Sequence, residues 1–248
     1  MTRKTWMLAA KIALPALPLL AVAGCARAPG GAQNSTGAQL IVSMTVAGRI
    51  NPAFSYFVLF NTTNSPTTST GPIPVVASPW GNGFAAGQFT QFVRYDSTQG
   101  SAGYGVYSVV PGSNLRSFQF LGSPLQFTPP GDSGSTLQFR IPLSQLAVSG
   151  ISADQIQNLQ INFIATNSTP TDANTSATKL FDALGDARQV GGVNNPITIS
   201  TAQSHIYQNS DSVTPEPSGD VTEAGNGVFQ TTSEPDLDIV NWSVEVRN

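Results

Sequence analysis

The sequence is poor in the residues that cross-link proteins and bind soft metal ions. Its 248 residues include one cysteine, Cys25, and one histidine, His205. A single cysteine cannot form an internal disulfide bond, so the fold must rest on its hydrophobic core. One histidine without a further cysteine also excludes an ordinary structural zinc site, which takes about four nitrogen and sulfur ligands.

Charged residues and long apolar runs are scarce as well. Lys, Arg, Asp and Glu together make up 10% of the chain, and its formal net charge is −3. The basic residues do not cluster, which argues against a nucleic-acid-binding surface. The one extended apolar run, residues 12–24, is shorter than the roughly 20 residues of a spanning helix and contains Pro15 and Pro18.

This apolar run follows a basic N-terminal segment. This segment contains three basic residues, Arg3, Lys4 and Lys11, and no acidic residue occurs before the end of the apolar run. A basic segment followed by a short apolar one is the layout of a secretory signal peptide. Residues 1–24 are therefore predicted to direct the rest of the chain across a membrane and to be removed.

The end of the signal carries the four residues Val-Ala-Gly-Cys at positions 22–25. This stretch resembles the lipobox of bacterial lipoproteins. The resemblance implies that Cys25 is lipidated, becomes the mature N-terminus and anchors the protein in the bacterial cell envelope, facing the periplasm or the exterior. Acyl chains bind a bilayer with about 0.8 kcal/mol per buried methylene. The alternative is cleavage at an A-x-A site, residues 21–23 or 26–28, which would release a free secreted protein.

The residues after the cysteine divide into a tether and a domain. Residues 25–38 are small and polar without periodicity, which predicts a flexible, lipidated linker. Residues 39–248 are predicted to form a single domain, because large apolar residues are spread along them without an interruption that would mark a boundary.

Hydrophobic residues in this domain alternate with polar ones. The alternation is clearest at residues 39–47, 136–143, 159–166 and 239–246, and residues 53–60 are apolar at both parities. A period of two with one polar face predicts half-buried antiparallel strands, and the doubly apolar segment predicts a central strand. Further strands are predicted at residues 88–95, 104–110, 117–122 and 197–200.

Helical signals are nearly absent. Ser152 and Gln155 form a capping-box pattern that predicts one short helix of about two turns. Residues 207–236 show little periodicity and are predicted to be a long loop or a partly ordered excursion. Many strands, one short helix and long loops predict an all-β fold, an antiparallel, jelly-roll-like β-sandwich.

Aromatic side chains supply the candidates for ligand binding. Trp80 lies between Pro79 and Gly81 in a predicted loop, and Tyr95, Tyr104 and Tyr107 lie on neighbouring predicted strands. Exposed rings of this kind stack on the flat faces of sugars. The alternative for Trp80 is that it plugs the end of the sandwich, and Trp242 is expected in the core because it occupies an alternating apolar position.

Acidic residues supply the candidates for metal binding. Asp236 and Asp238 alternate onto one face at the start of a predicted strand. With Asp182 or Asp186 they could hold a structural calcium ion, which takes oxygen ligands. The alternative is that they are solvated strand ends. No other cofactor is expected.

The sequence does not assemble a catalytic constellation. Residues 131–135 read GDSGS and resemble the nucleophile segment of chymotrypsin-like serine proteases, but in that family the histidine precedes the serine. Here His205 follows it, and a serine without a base is a poor nucleophile. The protein is therefore expected not to be an enzyme.

The C-terminal part has a second resemblance. Residues 137–146, 156–167, 179–186 and 236–246 look like the later strands of carbohydrate-binding module family 9 and related DOMON-like sandwiches. That resemblance implies a jelly-roll-like sandwich that binds glycan, although the paired tryptophan clamp of the family cannot be placed here. The expected function is a non-catalytic binding module, and the alternative is an assembly protein that holds a protein partner in the cell envelope.

Overall fold

The computed structural model describes residues 37–65, 70–189 and 191–248. The predicted signal peptide, Cys25 and nearly all of the predicted linker lie outside these residues. Within the described ranges no helix is long and apolar enough to span a membrane.

The regular secondary structure of the described residues is almost entirely antiparallel strand, as predicted. The bounds of the strands are β1 (Gln39–Val46), β2 (Ser55–Thr63), β3 (Pro72–Pro74), β4 (Ala85–Gly87), β5 (Gln91–Tyr95), β6 (Tyr104–Val109), β7 (Phe118–Gly122), β8 (Gln126–Thr128), β9 (Thr136–Pro142), β10 (Asn158–Thr166), β11 (Lys179–Ala183), β12 (Ile197–Ser200), β13 (His205–Gln208), β14 (Thr222–Gly225), β15 (Val228–Thr231) and β16 (Ile239–Arg247).

The strands form two main sheets. The smaller sheet has the order β13-β16-β1-β9-β8. The larger has the order β15-β14-β11-β10-β2-β5-β6-β7, and β12 pairs with β10 beside β11. β3 and β4 form a separate hairpin. The fold is therefore the antiparallel β-sandwich that the alternating pattern predicts.

The principal core lies between the two sheets. From the smaller sheet, alternate residues of β1, β9 and β16 enter it, including Val42, Phe139 and Val244. From the larger sheet it receives alternate residues of β2 and β10, including Phe60 and Phe163. Period-two burial explains why the strand faces can be assigned from the sequence.

A second apolar layer covers the outer face of the larger sheet. Phe57 and Leu59 of β2 point into this layer, while their neighbours Val58 and Phe60 point into the principal core. The layer is closed by phenylalanines from the segment around β3 and β4, and the rings of Phe57 and Phe84 stack at 4.2 Å. β2 is apolar at both parities because both of its faces are buried.

One local prediction is wrong. The predicted two-turn helix is a single 3₁₀ turn, Ala153–Gln155, capped by a hydrogen bond from the Ser152 N–H to Gln155 Oε1 at 3.1 Å. It ends because Ile156 adopts an extended conformation that leads into β10. The capping box was correctly recognised, but it serves a turn rather than a helix.

The predicted long loop at residues 207–236 also contains regular structure. It includes the end of β13, a 3₁₀ turn at Asn209–Asp211 and the β14–β15 hairpin. Asn226 and Gly227 join the hairpin with φ values of 48° and 78°. An Asn-Gly pair with positive φ is the usual signal of a two-residue hairpin, so this element was visible in the sequence.

Candidate functional site

Three buried aspartates meet where the two sheets come together. Asp182 lies on β11 of the larger sheet, Asp220 lies two residues before β14, and Asp238 directly precedes β16 of the smaller sheet. One carboxylate oxygen from each lies within 4.8 Å of the others. We call this group, together with Glu216 described below, the acidic centre.

Asp182 links the two sheets through backbone hydrogen bonds. Its Oδ2 accepts from the Ile239 N–H of β16 at 2.6 Å, and its Oδ1 accepts from the Ala183 N–H at 2.8 Å. Both oxygens are therefore held in fixed positions by main-chain groups. The first of these bonds spans the sandwich from one sheet to the other.

The other two aspartates are also oriented by main-chain groups. Asp220 Oδ2 accepts from the Ala187 N–H at 2.9 Å. Asp238 accepts from the Gly219 N–H at 2.9 and 3.0 Å and from the Ser218 hydroxyl at 3.0 Å. Hydrogen bonds therefore hold the segments before β14 and after β11 next to the acidic centre.

Glu216 adds a fourth carboxylate. Its side chain is buried, and its Oε2 accepts from the Gly185 N–H at 2.7 Å. Asn209 fixes its main chain, because Asn209 Oδ1 accepts from the Glu216 N–H at 2.7 Å. Within the described residues, Glu216 Oε1 and Asp220 Oδ1 are buried and have no hydrogen-bond partner.

Burial and mutual repulsion disfavour the charged forms of these groups. Burial, reinforced by the charges of Asp220 and Asp238, raises the pKa of Asp182 well above its usual range. Burial and the neighbouring carboxylates raise the pKa of Glu216 to about 10 and that of Asp220 to about 6. The positive charge of Arg188 lowers the pKa of Asp220 and so opposes this increase. The guanidinium itself forms its ion pair with Asp186, at 2.7 Å.

The acidic centre contains two of the four aspartates that the sequence suggested for calcium. Asp182 and Asp238 are brought together as predicted, whereas Asp186 and Asp236 are wrong for this site. Asp186 is half-exposed and binds Arg188. Asp236 accepts from the Arg49 N–H at 2.9 Å, because a turn at residues 235–237 ends the alternation that would have placed it beside Asp238.

Sequence reasoning missed Asp220 and Glu216. Both lie in the stretch predicted to be a loop, where no periodicity indicates which side chains turn inward. Their burial depends on hydrogen bonds to Ala187 and Gly185, which lie more than 30 residues earlier. No local signal in the sequence could have identified them.

A cleft of about 580 Å³ adjoins the acidic centre. It opens between β12, which extends the larger sheet, and β13, the edge strand of the smaller sheet. Its lining combines amide and hydroxyl side chains with aliphatic side chains, three rings and two acids, from the following residues: Gly71, Gln160, Leu184, Gly185, Asn194, Asn195, Pro196, Ile197, Thr198, Ile199, His205, Tyr207, Gln208, Asp211, Ser212, Val213, Thr214, Glu216 and Trp242.

Aromatic rings shape this cleft. Trp242 is buried against Phe163, with 6.0 Å between ring centroids, as its core assignment predicts. The Tyr207 hydroxyl bonds to the Ser200 N–H and C=O at 3.0 and 3.1 Å, which joins β12 to β13. The exposed His205 ring lies edge-on to Tyr207 at 4.5 Å. Gly185 and Glu216 belong both to the cleft and to the acidic centre.

Trp80 does not form an exposed binding platform. Its side chain is 0% exposed, and its indole N–H donates to the Asn174 C=O at 2.9 Å. Gly225 of β14 has a φ of 114°, and a Cβ there would lie 2.8 Å from the Trp80 ring. The expectation of an exposed ring is wrong, because the loop folds back over the larger sheet and buries it.

The three tyrosines do lie on neighbouring strands, but they do not share one surface. Tyr95 and Tyr104 pack edge-to-face at 4.9 Å on the core side, and Tyr104 is buried. Tyr107 lies on the other side of the sheet, where it stacks with Phe92 at 5.0 Å and donates to Gln99 Oε1 at 2.7 Å. The predicted ligand-binding platform is therefore not assembled.

A buried lysine, which the sequence did not single out, lies beside Trp80. Lys179 is 1% exposed, and its Nζ donates to the Gly83 C=O at 2.8 Å. The same atom lies 5.8 Å from the Trp80 ring and 5.6 Å from the Phe181 ring, distances typical of cation–π contacts. Burial lowers the pKa of Lys179 to about 7.

No protein-family model matches this chain, and neither a curated protein nor a solved structure shows significant similarity to it. Its function therefore has to be inferred from the acidic centre, the cleft and the N-terminal sequence.

Proposed function

We propose that this protein is an extracytoplasmic lipoprotein whose β-sandwich is a non-catalytic module that binds carbohydrate in the cleft between β12 and β13. The observation that carries the proposal is the cleft itself. Its volume of about 580 Å³ falls within the roughly 300 to 1,000 Å³ typical of small-molecule sites. The cleft replaces Trp80 and the three tyrosines as the expected binding site.

The lining of the cleft suits a sugar. Asn194, Thr198 and Gln208 present amide and hydroxyl groups that can donate to and accept from sugar hydroxyls. The lining also includes the rings of Trp242, Tyr207 and His205. A pyranose has apolar faces and a polar rim, so it matches both kinds of surface.

Binding is favoured over catalysis by the state of the carboxylates at the cleft. Glu216 Oε2 accepts from the Gly185 N–H at 2.7 Å, and Asp211 accepts from Ser210 Oγ at 3.2 Å. A glycosidase needs one ionised carboxylate and one acid facing each other across the substrate. The engagement of Glu216 with the acidic centre leaves it poorly suited to that role.

Carbohydrate binding is tested with a glycan panel and two matched glutamine variants of the full chain. We expect Gln208→Ala, on the cleft, to weaken binding about five- to tenfold, because one hydrogen bond contributes about 1 kcal/mol. Gln119→Ala, on the distant edge strand β7, should leave binding unchanged. Failure of the unaltered protein to bind any glycan on the panel would refute the carbohydrate proposal.

The lipid anchor is tested separately. Cys25→Ser should move the protein from the membrane fraction to the soluble fraction, and mass spectrometry of the unaltered protein should find a lipidated N-terminal Cys25. An unmodified N-terminus at Gly24 or Pro29 would show cleavage at an A-x-A site and end the lipoprotein proposal.

A protein partner in the cell envelope is the second candidate. The observation that favours it is the free edge of β7, where the Phe120 side chain is 59% exposed beside the exposed Leu121. Apolar side chains on an edge strand favour pairing with a strand of another chain. Crosslinking in cells that captures one defined partner, and loses it in Phe120→Lys but not in Gln208→Ala, would favour this function.

A further inference from the structure

We propose that Asp182, Asp220 and Asp238 form a calcium site that fastens the two sheets of the sandwich together, with Glu216 beside it. The proposal does not depend on the carbohydrate function. It includes one ligand, Asp220, that the sequence did not suggest and leaves out two residues, Asp186 and Asp236, that it did.

The first argument comes from the two unpartnered oxygens. Asp220 is 0% exposed and Glu216 is 7% exposed, and within the described residues Asp220 Oδ1 and Glu216 Oε1 receive no hydrogen bond. Buried carboxylate oxygens nearly always have a partner, because an unsatisfied one loses its hydration without compensation. In each residue the other oxygen is already held by a backbone N–H, so the unpartnered one is the oxygen available to a cation.

The second argument comes from charge. Three aspartates within 4.8 Å, with a glutamate beside them, would bury several negative charges together. Like charges buried without counter-ions are strongly unfavourable. In the described residues the hydrogen-bond donors to these carboxylates are backbone N–H groups and the Ser218 hydroxyl, none of which carries a full positive charge. A divalent cation supplies the missing charge.

The chemistry of the donors selects calcium. All the available ligand atoms are carboxylate oxygens, whereas zinc favours nitrogen and sulfur. Calcium takes about six to eight oxygens at roughly 2.4 Å, so two ligands on opposite sides of it lie about 4.8 Å apart. The observed spread of up to 4.8 Å among the three aspartate oxygens fits such an ion. Magnesium needs a smaller octahedral shell and retains several waters, for which this buried group leaves little access to solvent.

The position of the site gives the ion a structural role. Its ligands come from β11 of the larger sheet, from the start of β16 in the smaller sheet and from the segment before β14. Glu216 and the neighbouring Gly185 also line the cleft. Removing the ion should therefore loosen the joint between the sheets and the adjoining wall of the cleft.

The test measures calcium binding by the chelator-treated full chain. Isothermal titration calorimetry with CaCl₂ should show one high-affinity site per chain. At a concentration about 100-fold above Kd, calcium should raise Tm by about 5 to 10 °C. Magnesium at the same concentration should raise it much less. Absence of calcium binding, or magnesium binding of equal affinity, would overturn the assignment.

Variants separate a ligand from a merely structural carboxylate. Asp220→Asn keeps an acceptor for the Ala187 N–H but removes a buried charge, so it should preserve or raise the Tm of the calcium-free protein and reduce calcium affinity at least tenfold. Asp186→Asn, in the neighbouring loop but outside the acidic centre, is the matched control and should bind calcium as the unaltered protein does. If Asp220→Asn fails to fold, Asp238→Asn, which keeps an acceptor for the Gly219 N–H, provides the same test. Unchanged calcium affinity in the folded ligand variant would contradict the proposal.

Discussion

One short strand, β11, buries opposite charges on its two sides. Lys179 faces the outer apolar layer, and three residues later Asp182 faces the junction between the sheets. Lys179 finds its compensation inside the chain, in the Gly83 carbonyl and the rings of Trp80 and Phe181. Asp182 instead meets further carboxylates, two of which have an unpartnered oxygen.

The difference shows two ways of burying charge. A single ammonium group can be accommodated by one carbonyl oxygen and two aromatic faces, and it can also lose its proton near neutral pH. Several carboxylates in one place repel one another, so backbone donors alone do not complete their coordination. The lysine site is therefore complete within the chain, whereas the acidic centre calls for an ion from solution.

The largest expected effect comes from removing an aromatic partner of the lysine. Trp80→Ala should lower the free energy of unfolding by about 3 to 5 kcal/mol, because it leaves a cavity in the outer layer and removes one ring from Lys179. Urea denaturation measures this change. Trp80→Phe, which keeps a ring but loses the bond to Asn174, should cost less than half as much. A Trp80→Ala variant as stable as the unaltered protein would show that the ring is not integral to this site.

A smaller effect is expected when the link between the sheets is cut. Asp182→Ala leaves the N–H groups of Ile239 and Ala183 without an acceptor and should cost about 2 to 3 kcal/mol in the presence of calcium. The loss should be smaller in chelator, because calcium-free protein also gains from the removal of a buried charge. Equal losses with and without calcium would mean that the acidic centre does not hold the ion.

The pH dependence of stability should distinguish the two sites in chelator. The pKa of Asp220 is raised to about 6 in the folded state, so its stabilising contribution is complete near pH 4 and is lost as the pH rises through 6. We expect the free energy of unfolding to fall by about 2 kcal/mol over this window. Urea titrations at several pH values measure the slope, and Asp220→Asn should flatten it. An Asp220→Asn variant with the same pH slope as the unaltered protein would contradict the assignment of the carboxylates.

Lys179 affects the free energy of unfolding in a higher pH range than Asp220, and its effect has the opposite sign. The pKa of Lys179 is lowered to about 7 in the folded state, so its charged form is disfavoured there and stability is lost as the pH falls from about 10 to 7.

The smallest change in the free energy of unfolding is expected for Lys179→Met. At pH 7 the variant should lie within about 1 kcal/mol of the unaltered protein, because loss of the bond to Gly83 is offset by removal of a desolvated charge. Urea denaturation at pH 7 measures this difference. A loss above about 3 kcal/mol would show that the ammonium itself is needed.

The strands were largely predictable because their signal is local. Val42, Phe139 and Val244 follow a period of two, and all three enter the core between the sheets. The doubly apolar β2 was correctly expected to be central. The capping residues Ser152 and Gln155 were recognised, but the length of the element was decided by the chain turning into β10.

The sites were much less predictable because they depend on long-range contacts. Two of the four aspartates suggested for calcium, Asp182 and Asp238, join the acidic centre, but Asp220 enters only through its bond to Ala187. Trp80 looked exposed because its neighbours are proline and glycine, and no local rule could foresee that it packs against Gly225.

By itself the sequence determined the class of the fold and the faces of its main strands, because alternation of apolar and polar residues acts between near neighbours. It also predicts the signal peptide and the lipid attachment at Cys25, which stay predictions. Only the tertiary structure decided which carboxylates meet, that Trp80 is buried and that a cleft opens between β12 and β13. These features arise where segments far apart in the chain are brought into contact. Such contacts do not produce a periodic pattern of residues from which they could be predicted.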